Sequence, residues 1–339
     1  TASIGVSVET ANRVVATGIS AENAKRFTND NKKYSLQYDS TSQTLTLVGH
    51  DKHPVCGDVN CKEHTTISWT AVSDLTKITR AGYYYLTQDV EIKEPWSPAN
   101  EVTLCLNGHS ITLVDQDNFS VIEVRSGNFT LCDCSGSKGK ITHGYKPDSS
   151  TKRPGVGVSV YSGTFTMYGG SITGNIASSS YGGGVYVGNA TFNMYGGSIT
   201  GNTSSSFGGV FVKAKGTFTM KGGEISGNTS STYGGGVYVE REAEFTMTDG
   251  SITGNTSSYF YGGGVCVASQ GNFHMNGGSI TDNAASSKNK SNGGGVYSTG
   301  TFTMTGGSIT RNKAEYGGGV WTGASFTVSG NVNITGNVG

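Results

Sequence analysis

These 339 residues contain no run of like charge and no long apolar segment, and each absence closes off a class of function. The 24 basic residues balance 24 acidic ones without any basic run, which argues against nucleic acid and anionic membranes as partners. No apolar stretch approaches the length of a transmembrane helix, which argues against membrane insertion. The first residues lack the positive segment and following apolar segment of a secretion signal, so any such signal is expected to have been removed. Methionine is scarce, and its placement is the strongest regularity in the chain.

All six methionines occupy one position of a repeat. The pairs Phe165/Met167, Phe192/Met194, Phe218/Met220, Phe245/Met247, Phe273/Met275 and Phe302/Met304 recur at intervals of 27, 26, 27, 28 and 29 residues, and Phe326/Val328 closes the series. Self-similarity at such a period marks a solenoid, in which each repeat buries its apolar face only against its neighbours. Each unit carries three short runs of period-two alternation and no helical period, for example Val185 to Val187, Thr191 to Met194 and Ser198 to Thr200. Such runs, bounded by Gly, Asn and Ser, read as half-buried strands. Three strands and three turns account for one coil of a parallel β-helix, with the next coil stacked about 4.8 Å away. Valines of the first strand, Phe/Met of the second and Ile of the third then point inward. The glycines before Val185, Val237, Val265, Val296 and Val320 suit a corner needing positive φ or close backbone approach. Asn175, Asn202, Asn228, Asn255, Asn283, Asn312 and Asn337 follow the third strand in each unit and read as a structural amide stack, not as ligands.

The fold class expected is therefore all-β, a parallel β-helix of about 27 residues per coil over residues 79–339. Residues 1–78 lack the repeat and read as a β-rich region that caps the open edge of the stack. A weaker version of the pattern runs back through Val121 to Val124, Phe129 to Leu131 and Ile141-Thr142, and before them Leu104 to Leu106 and Ser110 to Thr112. The chain stops at Gly339, just after another Ile334-Thr335-Gly336-Asn337 and with no polar cap, as expected of a piece cut from a longer protein.

Where Leu104-Cys105-Leu106-Asn107-Gly108-His109-Ser110-Ile111-Thr112-Leu113 is followed by Phe129-Thr130-Leu131-Cys132-Asp133-Cys134, by KGKITHG and by the GGGVYV/TFTMYGGSITGN units, the chain resembles a family of large surface proteins of anaerobic Gram-positive gut bacteria. The upstream His53-Pro54-Val55-Cys56-Gly57, Cys61, His64 and Trp69 are similar to that family too, so the resemblance spans about residues 50 to 339. It implies a right-handed parallel β-helix of the pectin-lyase-like class in a secreted or wall-attached adhesin. A fold shared with polysaccharide lyases does not confer their chemistry.

The sequence supplies few residues suited to catalysis. Glycoside hydrolysis needs two carboxylates facing one cleft, and from Gly157 onward the acidic residues are Glu224, Glu240, Glu242, Glu244, Asp249, Asp282 and Glu315. Most stand singly, and Glu240 to Glu244 fall in a turn where charge reads as a solvated face. No Ser/His/Asp or Cys/His arrangement emerges.

Two outward ladders are better candidates. Between the inward valines stand Tyr186, Phe211, Tyr238, Cys266, Tyr297 and Trp321, and just before the glycines stand Tyr181, Phe207, Tyr233, Tyr261 and Tyr316. Side by side they form a flat aromatic platform that stacks sugar rings or packs protein, unless serine-rich loops fold over it as a satellite core.

Five of the six cysteines precede the regular repeats. His53, Cys56, Cys61 and His64 offer two nitrogen and two sulfur donors, which suits a structural zinc, a Cys56/Cys61 disulfide, or neither. Aligning Leu104/Leu106 under Phe129/Leu131 also gathers Cys105, Cys132 and Cys134 near His109 on the outer face of adjacent coils, which suits a disulfide, free thiols or a Cys3His metal site. In that alignment Cys105 and Cys132 are diagonal neighbours about 7 to 8 Å apart. Cys266 reads as a thiol. No cofactor is required beyond that optional zinc.

The function expected is a monomeric, non-catalytic, extracellular adhesin-like protein that contacts a glycan or a host surface protein through the aromatic face. A pectin-lyase-like polysaccharide lyase or hydrolase and a plain stalk are the alternatives.

Overall fold

A computed structural model describes residues 4–6, 13–25, 27–29, 34–39, 42–49, 52–53, 67–114, 119–135, 138–144, 155–177, 182–259, 261–286 and 291–339. It is a parallel β-solenoid of about eight turns with about 27 residues per turn. First strands such as Val185–Val187, Val210–Val212 and Val237–Val239 form an eight-stranded parallel sheet. Second and third strands share a larger sheet, because in some coils the two merge without a break, as in Thr217–Ser226 and Glu244–Thr253. A further ladder of two-residue strands, Ile176–Ala177, Thr203–Ser204, Thr229–Ser230, Thr256–Ser257 and Ala284–Ala285, follows the asparagines. In the repeat pattern this segment reads as a turn, and the structure shows it paired from coil to coil.

Register follows the side chains. Phe165 pairs with Phe192, Phe192 with Phe218, Met194 with Met220 and Ile199 with Ile225, so like residues sit on like residues. A slip of one residue would turn every Phe and Met out to water, which is why the period-two pattern fixes the pairing so firmly. From Phe165 to Phe326 the stacked rings lie 4.6 to 4.9 Å apart with planes within 9° of parallel. Strand spacing dictates that separation. All six methionines and the stacked rings of Phe165, Phe192, Phe218, Phe245, Phe273 and Phe302 are fully buried, each ring contributing about 1.5 to 3 kcal/mol through removal from water.

Two glycines explain why the corner before the first strand is built from them. Gly262 has φ +69, a region costly for residues with a Cβ. At Gly263 an added Cβ would lie 2.4 Å from the Ala284 carbonyl carbon and 2.5 Å from the Gly294 oxygen on the next coil. Substitution would have to push two coils apart.

The asparagines form a continuous buried amide ladder. In the middle of it, Asn228 donates from its backbone N–H (3.0 Å) and from Nδ2 (2.9 Å) to Oδ1 of Asn255. Asn255 repeats this onto Asn283, while its Nδ2 also donates to the Ile225 carbonyl at 2.9 Å. Asn175 to Asn337 are thus structural, each amide bonded to the next along the axis. The ladder begins one coil earlier, at a residue with no asparagine: His143 Nδ1 lies 2.8 Å from Asn175 Oδ1. Burial pushes the His143 imidazole below its ordinary value of 6.5, against the opposing hydrogen bonds to Asn175 and the Phe119 carbonyl.

At the N-terminal end, Thr70–Val72 pairs in parallel with Gly82–Leu86 in the large sheet. Val72, Leu75 and Ile78 join the same core as the repeats. The solenoid thus begins by Thr70, several residues before the repeat becomes legible near residue 79. Earlier in the chain, Arg13–Thr17, Thr44–Gly49 and Tyr34–Asp39 form a three-stranded antiparallel sheet with its own small cluster around Ala24, Tyr38 and Leu45.

Candidate functional site

The outward aromatic ladders lie where the alternation predicts, since residues between two inward valines must face away from the core. Tyr186 pairs with Phe211 and Phe211 with Tyr238, then Tyr238 with Cys266, Cys266 with Tyr297 and Tyr297 with Trp321. The second series is in register from Phe207 to Tyr233 and Tyr261, then Asn292 and Tyr316. Tyr181 lies outside the described residues, and the position under Phe207 belongs to Gly182. The Phe207 unit has two glycines before its valine where its neighbours have three, so counting back from the glycines misaligns that coil by one residue.

The two ladders differ from the flat platform expected of them, because they interleave. Phe207 packs 4.4 Å from Phe211 and stacks 4.2 Å from Tyr238 on the next coil. Cys266 is too small to fill its place in the column, and Tyr261 of the same coil stacks there, 4.2 Å from Tyr297 and 14° from parallel. Trp321 covers Tyr297 from the following coil at 4.6 Å and 6°. Tyr297 therefore has a ring on each side and turns its edge outward. The result is a ridge of ring edges and hydroxyls.

Burial divides the ridge along its length. At its N-terminal end Tyr186 and Phe211 are buried with Val156 and Ala177, the satellite core that was the plainer alternative. Toward the C-terminal end Tyr233, Tyr238, Tyr261, Tyr297 and Trp321 are half-exposed and Tyr316 is 47% exposed. Tyr259, which the ladder pattern overlooked because it sits in a serine-rich turn outside the strands, is 61% exposed two residues from Tyr261. A second small stack was also overlooked: Tyr168 on Tyr195 at 4.8 Å, with the Lys221 ammonium 5.0 Å from the Tyr195 ring centre. Its signal was present as the residue before each Gly-Gly that leads into the third strand.

Two phenols of the ridge, Tyr297 and Tyr238, are held protonated. Burial pushes Tyr297 up to about 12, helped by Cys266, Tyr261 and Tyr233. Tyr238 is pushed up further by the same cause, with Cys266, Glu240 and Tyr233 adding to it. These two therefore offer neutral hydroxyl groups, each a donor and an acceptor, across the physiological range. Cys266 beneath it is a buried thiol whose ionisation burial suppresses.

Three of the outward carboxylates are engaged locally. Glu240 accepts the Ala214 N–H at 2.8 Å, Asp249 the Gly250 N–H at 2.7 Å, and Asp282 holds Arg311 in a two-pronged pair at 2.9 and 2.8 Å. Register sets Asp249 beside Lys221, Glu224 between Ser198 and Ser251, and Glu244 between Thr217 and Asn272.

The cysteine cluster needs one correction. Val102 and Leu104 stack on Phe129 and Leu131, so Cys105 lies directly opposite Cys132 on the adjacent coil, not diagonally from it. The expected alignment was displaced by two residues, a shift that preserves inward and outward faces and so leaves the apolar pattern unchanged. Cys105 and Cys132 are buried with Trp69, and Cys134, Tyr85 and Tyr168 pack against them. His109 places Nδ1 3.4 Å from Asp89 Oδ1. Between two of the cysteines, the Asp133 carboxylate accepts N–H groups of Gly108 and Gly139, both at 2.8 Å. Among the described residues no three His, Cys, Asp or Glu side chains group as a metal site. Cys56, Cys61 and His64 lie outside the described residues, as does the side chain of His53.

No family model, no curated protein and no solved structure matches this chain.

Proposed function

We propose that this β-solenoid is a non-catalytic, extracellular adhesin-type protein that binds a neutral glycan along its aromatic ridge. The observation that carries the proposal is the half-exposed stack Tyr261, Tyr297 and Trp321, with Tyr316 and Tyr259 exposed beside it, on a scaffold whose register leaves little freedom. Ring edges carry the positive rim of the aromatic quadrupole and the hydroxyls both donate and accept. Together they match the ring oxygens and hydroxyls of a sugar chain. Balanced charge over the whole chain suits a neutral polymer better than a strongly acidic one. Several coils presenting the same groups at strand spacing would engage successive units of one polymer, so modest contacts would add along its length. Local engagement of three outward carboxylates supports binding over hydrolysis.

Titration with soluble glycans, followed by tryptophan emission and iodide quenching, tests this. Trp321 and Trp96 are partly exposed whereas Trp69 is buried, so binding on the ridge shields Trp321 but not Trp96 from iodide, and the Trp321→Phe variant loses the effect. An unchanged quenching profile with every glycan, or shielding that persists in Trp321→Phe, contradicts the assignment.

A further inference from the structure

Cys105 and Cys134 stand on neighbouring coils with their sulfurs 3.5 Å apart. Cys132, although opposite Cys105 in the ladder, directs its thiol to the Leu104 carbonyl at 3.7 Å. Cys105 is fully buried, while Cys134, two residues beyond the strand Asn128–Cys132, is partly exposed. A disulfide has its sulfurs at about 2.05 Å, so the pair must close by about 1.5 Å. Cys134 lies beyond the strand Asn128–Cys132, so side-chain rotation and the segment that carries it can close the gap while Val102–Cys105 stays paired with Phe129–Cys132.

We infer that Cys105 and Cys134 form a disulfide between adjacent coils by exchange with a small-molecule disulfide, Cys134 reacting first. The neighbouring Cys105 thiol and burial push the Cys134 thiol up, so in the first step Cys134 sheds its proton as its sulfur attacks one sulfur of the external disulfide. A mixed disulfide forms on Cys134, and one external thiol leaves with the proton that Cys134 gave up. The Cys105 sulfur then attacks the Cys134 sulfur, the bond to the second external sulfur breaks, and that thiol departs with the Cys105 proton. Two protein thiols are oxidised and one external disulfide is reduced to two thiols, so atoms and electrons balance. Partial exposure makes Cys134 the reachable sulfur, and burial of Cys105 at 3.5 Å makes it the resolving one. The bond would close a span of 29 residues and bolt together two coils beside Trp69, where the stack begins. Such a staple stabilises mainly by restricting the unfolded chain. It is independent of the glycan reading.

The whole protein, incubated with oxidised glutathione under native conditions, alkylated and digested without reductant, tests the inference by mass spectrometry. The expected product is a Cys105–Cys134 linked peptide pair that disappears on reduction, persists in Cys132→Ser and is absent in Cys134→Ser. Oxidation should also raise the thermal midpoint of the wild type and of Cys132→Ser while leaving Cys134→Ser unmoved. Linkage of Cys105 to Cys132, Cys56 or Cys61, or recovery of Cys134 as a lasting glutathione adduct with Cys105 alkylated, would overturn it, as would both cysteines recovered as alkylated thiols.

Discussion

Replacing Asn255 by alanine removes one rung from the middle of the buried amide ladder, and the cost can be worked out bond by bond. Four hydrogen bonds go: two that Asn255 Oδ1 accepts from Asn228, and two that Nδ2 donates, to the Ile225 carbonyl and to Asn283 Oδ1. Asn228 then keeps its Nδ2 bond to the Ile199 carbonyl, but its backbone N–H and the other Nδ2 hydrogen are left unpaired in a site without solvent access. Each orphaned buried donor costs about 1 to 3 kcal/mol, giving roughly 2 to 6 kcal/mol in all. Asn255→Asp should be at least as damaging, because a carboxylate accepts from Asn228 but has nothing to donate to Ile225 or Asn283. Asn193→Ala, on the outward face of the second strand, should change stability by less than about 0.5 kcal/mol. Urea unfolding followed by circular dichroism measures all three. Solenoids can lose cooperativity, so midpoints are to be compared only where the slopes agree. If Asn255→Ala unfolds at the same urea concentration as Asn193→Ala, the ladder is not a source of stability and the reasoning fails.

Three further outcomes are expected. The His143 imidazole is held below 6.5 by burial, so its contribution is fully present above that pH and declines as pH falls below it; thermal midpoints taken from about pH 7.5 to about pH 5 should drop in the wild type and drop less in His143→Asn. The folded Tyr297 phenol titrates near 12 against an ordinary 10, so its contribution holds below pH 10 and is lost as pH rises toward 12; an absorbance titration should lose one late-titrating phenol in Tyr297→Phe. Phe245→Ala, in the middle of the ring stack, should cost about 3 to 5 kcal/mol in urea unfolding, and a cost below about 1 kcal/mol would mean that the coils around it are not packed as described.

What the sequence disclosed, and what it did not, follows from how each feature is encoded. Phe245, Met247 and Asn255 recur at fixed offsets in every unit, so periodicity alone identified the core and the amide stack. His143 heads that stack without being an asparagine: it lies two residues after Ile141, whereas Asn175 lies three after Ile172. No offset rule finds it; only the three-dimensional register does. Cys105 was misplaced because Val102/Leu104 and Leu104/Leu106 fit the alternating pattern equally well, and only backbone pairing distinguishes them. The ladder positions of Phe207 to Tyr316 were legible, but the ring orientation was not. Tyr261 stacks against Tyr297 because the small Cys266 leaves room, a consequence of side-chain volume on a neighbouring strand. The same neighbour effect turned a presumed platform into an edge-on ridge.

The most direct test of the account is retention on an array of plant, mucin and bacterial glycans. Wild type would be compared with Tyr297→Ala/Trp321→Ala on the ridge and Tyr195→Ala away from it. The account predicts that wild type and Tyr195→Ala are retained by the same neutral glycans and that the double variant, still folded by circular dichroism, is not. Retention of the double variant equal to wild type, or no retention of wild type on any glycan, would contradict it.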